Sequence, residues 1–256
     1  MYTVRYDGSF DGFLNAVFDV YQYKFDAPNI VKEAAYNGTI FEKVHTVRND
    51  RMHSKRVWTG LAKKLSPDAQ RQVYQTFLSE LPSIENVLLQ YIQYAFGSTA
   101  SIETDFGHAA VLTVHQTAKK VHRETHRMEA FVRFQQTADD IYFAVIEPDY
   151  NVLPLLAKHF KERYADQQWI IWDGKRHYGI AYDLNHVSTV QFSFETGTNN
   201  GKDIRAVHHQ NEAAYQQLWQ CYFKSVTIPA RKNTRLHLQH MPMRHWKYLP
   251  EKQAGL

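Results

Sequence analysis

Residues 106 to about 127 constrain the chain more than any other segment. At about 100° per residue, Ala110, Val114, Ala118, Val121 and Thr125 fall in one narrow sector and are predicted to face a core. His108, His115, Lys119, His122, Arg123, His126 and Arg127 crowd the other side. Asp105 stands where it can cap the first turn. A helix with so clean a division needs an apolar layer to lie against, and the rest of the chain has to supply it.

Beyond this helix the hydrophobic period changes to two. Segments 128–134 and 141–146 flank Thr137-Ala138-Asp139-Asp140, as the arms of a β-hairpin would. A helix is predicted over about 151–164, strands over 168–172 and 177–183 across Asp173-Gly174-Lys175-Arg176, and a further strand over 188–194. Residues 196–201 read as a loop and 211–225 as a helix.

The N-terminal side opens with a short strand, 2–6, and a helix carried by Phe10, Phe13, Leu14, Val17, Phe18 and Tyr21, stopped at Asp26-Ala27-Pro28-Asn29. A second strand at 39–45 and helices over about 54–65, 67–80 and 83–96 follow, with Ser66 as N-cap and Pro67 in the first turn. The predicted class is α+β: an antiparallel sheet of about five strands with flanking helices, a helical N-terminal half and a basic C-terminal tail. The predicted division is 1–104, 105–228 and 229–256, unless the whole is one continuous domain.

Composition narrows the chemistry. The sole cysteine, Cys221, excludes an intramolecular disulfide framework, an all-cysteine zinc site and a cysteine-ligated iron–sulfur cluster. No apolar run approaches the roughly 18 residues of a membrane span, residues 1–7 do not read as a signal peptide, and a reducing, cytoplasmic setting is expected. A net charge of +4 hides an uneven distribution. Segments 43–64, 119–133 and 231–256 together carry +14, which leaves −10 on the other 193 residues. Cations segregated in this way suit a polyanion if the three segments share a face, and three separate solvated faces if they do not. The 36 aromatic residues are enough both to build a core and to stack on bases.

Candidate site residues follow from these patterns. Lys119, Arg123 and Arg127 recur at the spacing of one helix face, fit for successive phosphates. Strand alternation over 129–134 would put Glu129, Phe131 and Arg133 on one face, a ring between an acid and a guanidinium. In the tail, Arg235, Arg244, Trp246 and Lys247 mix cations with rings that can stack, although Trp246 equally suits a docking anchor. His122 and His126 have the i, i+4 spacing of a metal pair, but Arg123 beside them favours a plain basic face, and no metal is expected. The acid–base candidates are His126, Glu129 and Glu147; Glu147 and Asp149 flank Pro148, where turn and capping roles are commoner. No phosphate-binding glycine loop, G-x-S-x-G elbow or zinc-deaminase signature is present, so no cofactor is implied.

Several separated motifs resemble one family. They are Tyr6-Asp7-Gly8-Ser9-Phe10-Asp11-Gly12-Phe13-Leu14, the run from His126 to Phe134, Ile146-Glu147-Pro148-Asp149, Asn151-Val152-Leu153-Pro154, and the closing stretch from Arg235 to Glu251. Together they are similar to a bacterial family of DNA-metabolism and DNA-repair proteins. That family is the stand-alone form of a domain of unknown function otherwise fused to iron–sulfur uracil-DNA glycosylases. The resemblance implies a DNA-repair context and a radical-SAM protein as partner, and it transfers no active site. Three functions remain in view: an accessory protein binding single-stranded or damaged DNA, a glycosylase- or lyase-like enzyme, and a protein–protein scaffold.

Overall fold

The first strand, β1 (Tyr2–Tyr6), runs into a capped turn: the Asp7 carboxylate accepts the Ser9 N–H at 2.9 Å, and the Ser9 hydroxyl accepts the Gly12 N–H that starts α1 (Phe10–Tyr23). The computed structural model describes residues 2–38, 42–191, 218 and 234–253, and by its internal contacts the chain falls into two units, 1–122 and 123–256. The boundary between the units lies inside a helix, at 122/123, whereas the predicted divisions are at 104/105 and 228/229 or absent in a single continuous domain.

In the first unit α1 ends at Lys24, in the left-handed region at φ 52°, and the chain returns as β2 (Pro28–Lys32). β2 and β3 (Lys43–Thr46) pair with β1 on either side, both parallel to it, in the order β2-β1-β3. The expectation of a helical N-terminal half is therefore corrected: it contains a parallel sheet. The Pro28 segment stops the helix as expected and also opens β2, because proline is tolerated at the first residue of a strand. α2 (Arg51–Ala62), α3 (Pro67–Phe77) and α4 (Ile84–Gly97) follow, with Asp50 and Ser66 capping the first two. Val4, Phe13, Val17, Ile30, Leu88 and Ile92 are fully buried, and each such side chain contributes about 1.5–3 kcal/mol.

Helix α5 (Ala109–Phe131) starts later and ends later than its pattern suggested. Asp105 does not cap it; the Asp105 carboxylate accepts the Tyr94 hydroxyl at 2.6 Å, four residues before the helix begins. The predicted strand at 128–134 is overturned, because Val121, Met128 and Val132 continue the apolar stripe at spacings of seven and four. Period-two alternation over 130–134 coincides with that stripe, and the longer pattern wins. What remains of the hairpin is β4 (Gln135–Gln136), paired antiparallel with β5 (Tyr142–Ile146).

The second unit is a five-stranded sheet, β4-β5-β6-β7-β8, with β6 (Trp169–Asp173), β7 (Tyr178–Tyr182) and β8 (Val187–Val190). It is mostly antiparallel, as expected, but β5 and β6 are parallel because α6 (Leu153–Arg163) carries the chain between them. Leu153, Leu156, Phe160, Trp169, Ile171 and Leu249 are buried. The tail forms α7 (Thr234–His240), a 3-10 helix (Met243–Tyr248) and α8 (Pro250–Gln253). The predicted loop at 196–201, helix at 211–225 and last residues of the strand at 188–194 lie outside the described residues, Leu218 apart. Among the described residues no helix is long and apolar enough to cross a membrane.

Candidate nucleic-acid interface

Two features of the second unit concentrate functional side chains: a cavity, and a set of ion pairs that fasten the tail. The cavity measures about 970 Å³, near the top of the usual range for ligand sites. The end of α5 contributes His126 and Glu129 to its wall, Arg133 and Phe134 follow just beyond the helix, α6 contributes Phe160 and Arg163, and Gln136, Tyr142, Tyr164 and Gln167 add rings and amides. Phe134 lies edge-on to Phe160 at 5.6 Å and to Tyr164 at 5.3 Å, so the rings form a continuous wall. Glu129 Oε2 accepts from His126 Nδ1 at 2.8 Å, an i, i+3 pair made possible because helix, not strand, runs through both. Glu147, the third acid–base candidate, does not line this cavity.

The tail is held by carboxylates. Glu124, 2% exposed at its side chain, receives Arg244 Nη2 at 2.9 and 2.7 Å, Arg127 Nη1 at 3.4 Å and the Asp149 N–H at 3.1 Å. Arg244 also reaches Asp149 Oδ2 at 3.0 Å. Burial pushes the Glu124 carboxyl up, but the Asp149 N–H, Arg244 and His245 outweigh it and hold its pKa below the ordinary value. His245 is buried beside this group, 5.6 Å from the Phe131 ring; burial first, then the Arg244 and Arg127 charges, push its pKa down against the pull of Glu124 and Asp149.

Two further clamps sit along the tail. Arg133 donates to the Ala130 and Val132 carbonyls at the end of α5 and to Glu251 at 2.8 Å, whose side chain is 1% exposed. Lys247 pairs with Glu147, and Tyr248 also hydrogen-bonds that carboxylate. Burial raises the Glu147 pKa, yet these two donors and the charges of Lys247 and Lys175 bring it below the ordinary value, while burial and Glu147 raise that of Tyr248.

The sequence-predicted cations thus divide by their surroundings. Arg127, Arg133, Arg244 and Lys247 are engaged with carboxylates, whereas Lys119 and Arg123 are exposed on α5 and Arg235 is exposed on α7. Phe131 is half-buried against His245, and Trp246 is half-buried with its indole N–H on the Met241 carbonyl at 3.0 Å. His122 is exposed on α5, and among the described residues no three His, Cys, Asp or Glu side chains gather as metal ligands. Asp173 and Asp183 hold turns by accepting backbone N–H groups of Lys175 and Arg176, and of Asn185 and His186.

Sequence reasoning missed Glu124, Glu251, Tyr164, Arg163 and Gln167. Glu124 had a signal: it lies three residues after Val121 and four before Met128, so a carboxylate occupies the apolar stripe and requires buried partners. The others gave none: Glu251 meets Arg133 across 118 residues of chain, and the cavity draws on α6 and on the segments after it, which no short motif joins.

A family model described as a domain of unknown function, DUF4130, matches residues 82–251. No curated protein matches the chain. Among solved structures, a pGpG-specific phosphodiesterase, PggH from Vibrio cholerae, aligns with a TM-score of 0.36 at 10% identity, over 88% of this chain and 99% of that one. A likeness of that size carries no argument about fold or chemistry.

Proposed function

The chain belongs to the DUF4130 family, and from that premise we propose that it is an accessory protein of DNA metabolism or repair that binds single-stranded or damaged DNA. The observation that carries the reading is the cavity, where ring faces and guanidinium groups meet in one compartment. Rings accept bases of any sequence and cations follow the backbone, the pairing found in single-strand sites. Lys119, Arg123 and Arg235 offer exposed charge for phosphates. Arg244 and Lys247, 37% and 54% exposed, add positive charge at the surface, and Arg127, Arg133, Phe131 and Trp246 complete the candidate set.

The test is affinity against ionic strength. Neutralising about five phosphates gives a log–log slope of roughly −3.5 to −4.5 for single strands or duplex. A flat response, or no binding to any DNA at about 50 mM salt, overturns the proposal. The resemblance set out above supports a radical-SAM partner; co-purification of the two proteins that survives nuclease would favour a direct complex, and loss on nuclease treatment would make DNA the bridge.

A second reading is favoured by the 2.8 Å contact between His126 and Glu129 at the cavity wall. A carboxylate that orients an imidazole is a common acid–base pair. On this reading the protein processes the nucleic acid it binds, with Glu147 outside the pocket. Strand scission or base release that disappears in Glu129→Gln, with binding intact, would support it.

A further inference from the structure

We propose that the cavity of the second unit takes one unpaired nucleotide out of a DNA strand, its base against the rings of Phe134, Tyr142 and Tyr164 and its phosphate on Arg163. This rests on the DNA-binding reading above and narrows it to a single ligand. The volume sets the scale: 970 Å³ corresponds to a compartment about 12 Å across, while a duplex is wider than its own major groove, itself roughly 12 Å. A paired helix therefore stays outside, whereas one base with its sugar fits with room for water.

The lining chemistry matches the three parts of a nucleotide. The rings supply a stacking wall for the base. Gln167, half-buried in the wall, brings an amide donor and acceptor, the combination that pairs with a base edge. The phosphate goes to Arg163 and not to Arg133, because Arg133 already serves two carbonyls and Glu251. Arg163 is exposed at the cavity edge, with its guanidinium carbon 5.8 Å from the Tyr164 ring centre, so charge and ring stand side by side.

The experiment compares the full chain's affinity for three DNAs at one salt concentration: a paired duplex, the same duplex with a single bulged nucleotide, and that bulge without its base. The bulged duplex should bind at least about fivefold more tightly than the paired one, and removing the base should abolish the gain, since stacking on a side chain supplies it. Tyr164→Ala should erase the preference while leaving the salt slope unchanged, and Tyr164→Phe should keep it. Arg163→Ala should weaken all three DNAs and lower the slope by about one. Equal, salt-dependent binding of paired and bulged DNA overturns the pocket assignment and leaves the DNA-binding reading standing. A preference that persists in the base-free bulge or in folded Tyr164→Ala also overturns it. Absence of binding to all three at about 50 mM salt overturns both.

Discussion

Replacing Arg244 by methionine tests the network that fastens the tail to α5. The substitution keeps the aliphatic stem and removes the guanidinium that gives Glu124 two contacts, at 2.9 and 2.7 Å. Glu124 is 2% exposed at its side chain and cannot turn to water, so it keeps only the Asp149 N–H and the longer contact from Arg127. Breaking a fully buried pair costs about 3–5 kcal/mol. Arg244 is 37% exposed, so solvent already screens its half, and about 2 kcal/mol is expected.

The direct readout is hydrogen exchange of the Asp149 amide, which donates to Glu124; its protection should fall about 30-fold where local opening governs exchange. The pH dependence has a definite sign. Glu124 has its pKa depressed in the folded state, so its contribution is full above the ordinary value of 4.5 and is lost as pH falls through the folded value. The gap between wild type and Arg244→Met should therefore be widest near neutrality and close in acid. Glu124→Gln combined with Arg244→Met should cost less than the two single changes summed, because each removes the other's partner. A loss below about 0.5 kcal/mol at neutral pH, or one that stays constant down to about pH 4, would refute the assignment.

Other outcomes follow from single contacts. Gly179 in β7 has no space for a Cβ, which would lie 2.8 Å from the Ile171 carbonyl oxygen; Gly179→Ala should cost about 1–3 kcal/mol, read as a lower melting temperature. His245 is held below its ordinary pKa of 6.5, so the unfolded chain takes up its proton first as pH drops, and the stability it contributes is complete above 6.5 and declines below. His245→Phe should flatten the stability-against-pH curve between about pH 7 and 5, and curves of equal slope would contradict the burial argument. Glu147→Gln, which weakens a pair with a 54% exposed lysine, should cost under about 1 kcal/mol in urea titrations. Glu251→Gln, which removes a carboxylate 1% exposed against Arg133, should cost more than Glu147→Gln in the same titrations.

Local sequence determined the elements whose signals are local. The cap at Ser66 with Pro67 fixed the start of α3, and the stripe from Ala110 to Thr125 fixed the buried face of α5. A stripe depends only on spacing along one helix, so it can be read without knowing what covers it. Turn chemistry similarly located the break between β6 and β7 at Asp173 and Gly174.

Tertiary structure decided the rest, for reasons of partner choice. Whether 128–134 alternates as a strand or continues a helix turned on whether Met128 and Val132 are buried at helical spacing, as they are, which the short alternating run alone left ambiguous. Whether Arg244 meets phosphate or carboxylate depended on Glu124, 120 residues away, and charge counting cannot reveal where such a partner lies. Most of all, the cavity gathers the end of α5 with α6 and the segment after it. The sequence supplied its rings and guanidinium groups, but only the packing of elements distant along the chain could bring them around one volume.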